Sequence, residues 1–305
     1  MDVLWSGRIL VLYAFVVCGL YVHFRGQVRH GIGRQLLDHS TIMGPYNCFV
    51  YATSKVRNLP LLQREEFPDL DLLRDNWQVF RDEAKNLFDE GYIRRAASDN
   101  DLAFHSFFNT GWKRFYLKWY DDAQPSARAL CPQSVALVNR VPSVNAAMFA
   151  LLPAGAKLGK HRDPFAGSVR YHLGLITPND DRCVIYVDGQ KHSWRDGDDV
   201  VFDETFIHWA ENFTDQDRLI LFCDVERPLR YRFATAINRV FKRVVVRATG
   251  TENVAGDKVG VLNRLFDVLY KGRTKAKQLK KKNRQLYYGL KWLLLGGVFY
   301  MVFLG

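Results

Sequence analysis

Three kinds of hydrophobic spacing follow one another along the chain. Both ends are nearly unbroken apolar runs: residues 3–24 carry only Arg8, and residues 286–304 only Lys291. An apolar run of about 20 residues is long enough to span a bilayer, and a charge near its end can reach the headgroups. The first run is therefore expected to be an uncleaved anchor, since no small-x-small cleavage pattern follows it. The second is expected to be a short span with a snorkelling lysine. Between the ends, residues 68–91 repeat at helical steps through Leu70, Leu73, Trp77, Phe80, Ala84, Leu87 and Phe88, with Pro68 suited to a first turn and Gly91 to a stop. An aromatic-dense stretch follows, including Phe104, Phe107, Phe108, Trp112, Phe115, Tyr116, Trp119 and Tyr120. Core packing is its expected role, and the interleaved Lys113, Arg114 and Lys118 leave room for a wall that meets an amphiphilic lipid.

From about residue 146 the spacing shortens to strand-like runs at 146–152, 170–177, 183–188, 199–202 and 218–225. Turn signals separate them at Pro153-Ala154-Gly155, Pro178-Asn179-Asp180, Asp188-Gly189 and Asp196-Gly197. Short strands so spaced predict a sandwich or jelly roll rather than a parallel α/β sheet. Phosphate-binding Walker, dinucleotide-binding glycine and GxSxG patterns are absent from the sequence.

Composition and charge sharpen this picture. The 305 residues are 48% hydrophobic and 14% aromatic, which excludes global disorder. The net charge of +11 is confined to the ends: residues 35–226 hold 21 basic and 28 acidic side chains, whereas residues 227–305 hold 18 basic and 3 acidic. An acidic middle argues against a nucleic-acid-binding core, and basic ends fit an anionic membrane surface. Arg25, Arg29 and Arg34 follow the first apolar run, and a basic stretch at 271–284 precedes the second. The positive-inside rule then puts the middle of the chain on the cytoplasmic side. Five scattered cysteines without a CxxC argue against a disulfide framework and fit a reducing compartment.

Candidate chemistry lies in the β-rich part. His161 and Asp163, at i and i+2 of an extended segment, point to one side, and His208 stands at the end of another β-rich run. Two histidines and a carboxylate on one face of an octahedron leave three positions open, the arrangement of non-haem Fe(II) oxygenases. Arg218 opens the run RLILFCDV and shares a face with Ile220 and Phe222. A guanidinium aimed into an apolar interior needs a carboxylate, and the distal carboxylate of 2-oxoglutarate is one that two parallel bonds can grip. Arg170 and His172 could face the same cavity and meet the other end of that cosubstrate. Each residue has a plainer alternative: Asp163 a turn residue before Pro164, His208 a core histidine, Arg218 a surface residue paired with Asp215 or Asp217. His192, His105 and His39 lack such partners and are expected to be structural or surface residues.

Residues 152–228 resemble the aspartyl/asparaginyl β-hydroxylase family of Fe(II)/2-oxoglutarate dioxygenases. The resemblance rests on HRDPFAGSVRYHLGL at 161–175, WRDGDDVVFDETFIHWAEN at 194–212 and RLILFCDVERP at 218–228. It extends more loosely to about residue 47 through FFNTGWKRFYLKWY at 107–120, and the branch it is most similar to is the bacterial lipid A acyl-chain 2-hydroxylases. It implies a mainly β protein with flanking helices, built on a double-stranded β-helix (jelly roll). Expected boundaries are an anchor at 1–25, a helical and aromatic-rich flank at 26–140, the dioxygenase core at 141–228, a basic juxtamembrane region at 229–285 and a membrane segment at 286–304. His161, Asp163 and His208 would be the Fe(II) ligands. Arg218, Arg170 and His172 would bind 2-oxoglutarate, and O₂ would be the co-oxidant. The implied reaction hydroxylates C2 of a secondary acyl chain of lipid A at the bacterial inner membrane, with succinate and CO₂ as co-products and no obligate protein partner. Animal peptidyl hydroxylases of the family have a glycine where this chain has Asp163, which favours the lipid branch. Another membrane lipid such as ornithine lipid, a peptidyl aspartate or asparagine, and a binding module without turnover remain as alternatives.

Overall fold

A computed structural model describes residues 7–301 apart from 37, 92–103, 105–106, 121, 247–248, 255, 263–271, 273–274 and 277. Eleven strands form two antiparallel sheets among these residues. The larger has the order β1 (Leu61–Leu62), β9 (Asp199–Phe202), β6 (Ser168–Ile176), β11 (Arg218–Glu226), β4 (Val144–Leu152), β2 (Lys113–Trp119) and β3 (Asp122–Ala123). The smaller has the order β5 (Lys157–His161), β10 (His208–Asn212), β7 (Cys183–Val187) and β8 (Gln190–Ser193). From β4 onward the chain passes back and forth between the sheets, with only the hairpin β7–β8 staying in the smaller one, which makes the jelly roll.

The period of two along a strand decides which chemistry faces inward. All nine residues of β4 are buried. Its odd positions Ala147, Phe149 and Leu151 pack with Phe80, Ala84 and Leu87 of the helix Trp77–Asp89 and with Val135 and Val138 of the helix Pro132–Asn139. Its even positions Ala146, Met148, Ala150 and Leu152 face Leu158, Ile185 and Ala210 of the smaller sheet. The same parity sorts β11, where Leu219, Leu221, Cys223 and Val225 join the helical side and Ile220 and Phe222 the space between sheets. Arg218 and Asp224 share that inner face. On β6, Val169, Tyr171, Leu173 and Leu175 turn outward, which leaves Arg170 and His172 inside.

The amphipathic segment at 68–91 is helical but not continuous. A 3-10 turn at Pro68–Leu70 leads into Asp71–Asp75, and a separate helix runs from Trp77 to Asp89. At the junction Asn76 leaves helical geometry (φ −111°, ψ 25°), and its side-chain amide donates to the Leu72 carbonyl, an alternative to the helical ladder.

Both terminal apolar segments are helical, over Gly7–Phe24 and Arg284–Phe299. No helix among the described residues is long and apolar enough to cross a membrane, so the spans expected at 3–24 and 286–304 are not supported. Eighteen residues at helical rise reach only about 27 Å. The last turn of the first helix is also committed to the protein: Val22 and His23 are buried, Val22 among Val50, Tyr51, Leu229 and Ala234. The second helix has 16 residues and contains Lys291. Residues 3–6 and 302–304 lie outside the described residues, as do Lys271, Arg273 and Lys277 of the basic stretch. Gly44 marks a close crossing of the first helix with the helix Gly44–Thr53, since a Cβ there would lie 3.3 Å from Cys18.

Candidate metal centre and substrate cleft

His161 ends β5 and His208 begins β10, and the two are directly opposed in the antiparallel register. Their ring centroids are 4.2 Å apart, and one ligand atom from each of His161, Asp163 and His208 fits within 4.8 Å of the others. The two rings are fixed alike. His161 Nδ1 donates to the Gly159 carbonyl at 2.7 Å, and His208 Nδ1 donates to the Phe206 carbonyl at 3.0 Å. Because a carbonyl only accepts, each Nδ1 carries the proton and each Nε2 presents a lone pair. Burial lowers both imidazoles below their ordinary range, His208 to about 3, so both stay neutral. Burial alone would raise the Asp163 carboxyl; the Arg170 guanidinium overcomes it and holds the group well below the usual range. Two neutral imidazoles and a carboxylate form a donor set suited to a divalent transition metal.

Arg170 lies beneath Asp163 in a ring of three carboxylates. Its guanidinium meets Asp163, Glu204 and Asp224, the last as its direct cross-strand partner on β11. The cage is itself held, with Ser168 Oγ donating to Glu204 at 2.8 Å and Tyr120 Oη donating to Asp224 at 2.9 Å. Burial raises the Glu204 carboxyl well above its usual range, while Arg170, penalised by burial, is raised on balance by Asp224, Glu204 and Asp163. Arg170 thus faces the expected cavity with its guanidinium engaged by carboxylates.

Arg218 and His172 contrast with it. Arg218 is buried, stacks at 4.3 Å over the Trp194 ring and has no carboxylate partner among the described residues; its Nε has no hydrogen bond. Burial lowers it to about 10. Both ring nitrogens of His172 are buried without a partner among the described residues, between Trp194, Phe202 and Phe222. Orphaned polar groups are costly in an apolar interior, so the pair marks a place for a polar ligand. His208, His172 and Arg218 line one small cavity inside the roll.

A larger cleft of about 470 Å³ opens on the other side of His161 and Asp163. Phe104, Phe107, Trp119, Phe165 and Phe241 wall it, and Phe107 touches the His161 ring edge at 4.8 Å. The aromatic stretch divides between two places: Phe115 and Leu117 pack on the helical side, while Phe104 and Trp119 line the cleft. His39 also reaches the cleft, its Nε2 2.9 Å from the Arg162 carbonyl, whereas His192 lies away from it against Trp194. His105 lies outside the described residues. Glu204 and Asp224 were not singled out from the sequence. Asp224 had a signal, since it shares the strand parity of Arg218; Glu204 had none beyond its acidic neighbour Asp203.

The jelly roll thus carries two histidines and a carboxylate at the mouth of an apolar cleft. The chain belongs to the aspartyl/asparaginyl beta-hydroxylase family, whose profile matches residues 74–228. An ornithine lipid ester-linked acyl 2-hydroxylase of Rhizobium tropici is 37% identical over 123 residues, covering 40% of this chain and 44% of the relative. Human aspartate beta-hydroxylase domain-containing protein 2 is 25% identical over 217 residues, covering 67% and 57%. The chain thus spans about half the length of these relatives. A Pseudomonas putida prolyl-4-hydroxylase structure is similar over 50% of this chain and 87% of that one, with 21% identity and a TM-score of 0.33.

Proposed function

We propose that this chain is an Fe(II)/2-oxoglutarate-dependent hydroxylase of a fatty acyl chain in a membrane lipid. The observation that carries the reading is the convergence of His161, Asp163 and His208 between two unlike spaces. One is a small cavity with an orphaned arginine, and the other is an aromatic cleft. Iron with 2-oxoglutarate and O₂ supplies the oxidising power for C–H hydroxylation, releasing succinate and CO₂. The protein's part is to bind, orient and exclude. His161 Nε2, His208 Nε2 and an Asp163 oxygen hold the metal. Arg218 takes the distal carboxylate of the cosubstrate, and His172 offers a ring nitrogen beside it. Arg170, locked by Glu204 and Asp224, fixes the Asp163 carboxylate. The aromatic walls exclude water and admit an extended methylene chain.

Arg218→Met tests the cosubstrate role. It is expected to raise the 2-oxoglutarate requirement at least about tenfold, some 1.4 kcal/mol. An unpaired buried charge is removed, so the melting temperature without 2-oxoglutarate should not fall. An unchanged 2-oxoglutarate requirement would sink the assignment.

For the substrate, lipid A with hydroxylation at C2 of a secondary acyl chain is the first reading, and the R. tropici relative supports ornithine lipid as the second. We place the chain at the cytoplasmic face of the bacterial inner membrane. The apolar side of Gly7–Phe24, with Leu10, Val17 and Leu20 exposed, and the basic stretch at 271–284 would hold it there. Mass spectrometry of total lipids from a Gram-negative host expressing the chain, beside a His161→Ala control, tests this. One added oxygen on lipid A or on ornithine lipid, only with the intact chain, decides between them. Lipids unchanged while a peptidyl aspartate or asparagine gains oxygen would overturn the lipid reading.

A further inference from the structure

We propose that the helix Arg232–Phe241, with the π turn Lys242–Val246 that continues it, is a docking surface for an anionic lipid bilayer. It lies in the membrane plane beside the cleft mouth. The helix has two apolar faces. One is used by the fold: Ala234 is buried, Asn238 donates to the Gly167 carbonyl at 3.0 Å, and Phe241 stacks with Tyr46 at 4.4 Å and with Phe165 at 5.2 Å. The other is a stripe at steps of four, three and four, Phe233, Ile237, Val240 and Val244, exposed by 57%, 47%, 62% and 66%. A helix fixed by one face needs no second apolar face to fold, and a contiguous exposed stripe marks an interaction surface.

Three observations commit the stripe to a bilayer. Exposed arginines at 232, 239 and 243 border it, which complements anionic headgroups. An apolar stripe edged by arginines is the pattern of a helix lying in the interface with one face immersed. The stripe also continues toward the apolar surface of Gly7–Phe24. Phe233 meets Phe49 at 6.2 Å, and Phe49 lies on the helix that packs against Gly7–Phe24. Finally, Phe241 and Val246 belong to the cleft wall, so a bilayer under the stripe would sit at the cleft mouth.

The test uses the full chain with an environment-sensitive fluorophore at Val240→Cys, beside the same label at Lys191→Cys on β8. The parent chain labelled alike gives the background from its own cysteines. Vesicles of phosphatidylethanolamine and phosphatidylglycerol carry a shallow nitroxide lipid. The label at 240 should be quenched at least about twofold more than the label at 191, as immersion of a few ångströms requires. Changing the three arginines to glutamine should reduce that difference in anionic vesicles and leave it unchanged in phosphatidylcholine. Equal quenching at both positions on vesicle-bound chain would overturn the proposal. Disulfide cross-linking between copies at Val240→Cys without lipid quenching would do so too, by making a second copy the occupant. Turnover is not read, so failure here leaves the hydroxylase reading intact.

Discussion

His208→Ala is expected to abolish hydroxylation, by more than about 100-fold, while the chain still folds. Even loss of a partner that only orients a ligand commonly costs 10–100-fold, and here a proposed ligand itself goes. Among the described residues no further side chain joins the ligand cluster. His172 packs against Phe202 and Phe222, and His39 is bound to the Arg162 carbonyl. The fold should tolerate the loss, because the Phe206 carbonyl freed by the missing Nδ1–H lies in the turn before β10, outside the sheet ladders, and His208 itself lines a cavity. Iron content after purification without chelator, turnover and a melting curve separate the possibilities. Iron lost with the melting temperature retained is the expected pattern. Asp163→Gly isolates the carboxylate corner. Activity retained in that variant would mean that Asp163 serves Arg170 and not the metal.

Much of this cluster is legible in the sequence, for a physical reason. Strand parity is local, so the i, i+2 relation of His161 and Asp163, and of Arg170 and His172, follows from the extended backbone alone. The orientation of Arg218 with Ile220 and Phe222 follows likewise. What partners those side chains meet is set by register between strands far apart in sequence. Asp224 faces Arg170 because β11 pairs β6 in one register, and nothing near Arg170 announces it. Strand β2 was hidden for another reason. With Phe115 and Leu117 buried on one side and Tyr116 on the other, apolar residues occur at consecutive positions and alternation vanishes. The helix break at Asn76 was masked because the apolar period continues across it. At the amino terminus the apolar run is real, but its last turn is used to dock on the domain, which run length cannot disclose.

That docking predicts the largest stability effect. Asp203 is fully buried and holds two guanidinium groups, Arg25 at 2.7 Å and Arg227 at 2.9 Å, both themselves buried. Its other oxygen accepts from the Thr205 amide at 3.0 Å, and the Thr205 hydroxyl accepts in turn from Arg25 and from Tyr51, each at 2.7 Å. Arg25 follows directly on the helix Gly7–Phe24, and residues 203–206 lead into His208. One carboxylate therefore ties the amino-terminal helix to the turn that leads into His208, a proposed metal ligand. Asp203→Ala leaves two buried cations without their anion and is expected to cost about 3–5 kcal/mol, the range for breaking a buried pair by removing one partner. The pH dependence has a definite sign. Burial would raise the Asp203 carboxyl, but Arg227 and then Arg25 hold it well below its unfolded value of about 4. Its contribution is therefore full above that value and is lost as pH falls toward the depressed one. Denaturant titrations at pH 7 and pH 3 should show the parent losing stability in acid and Asp203→Asn losing less. Proteolysis of the variant should release the amino-terminal segment before the jelly roll opens. Equal acid sensitivity of the two proteins, or simultaneous cleavage of both parts, would show that Asp203 does not bear this load.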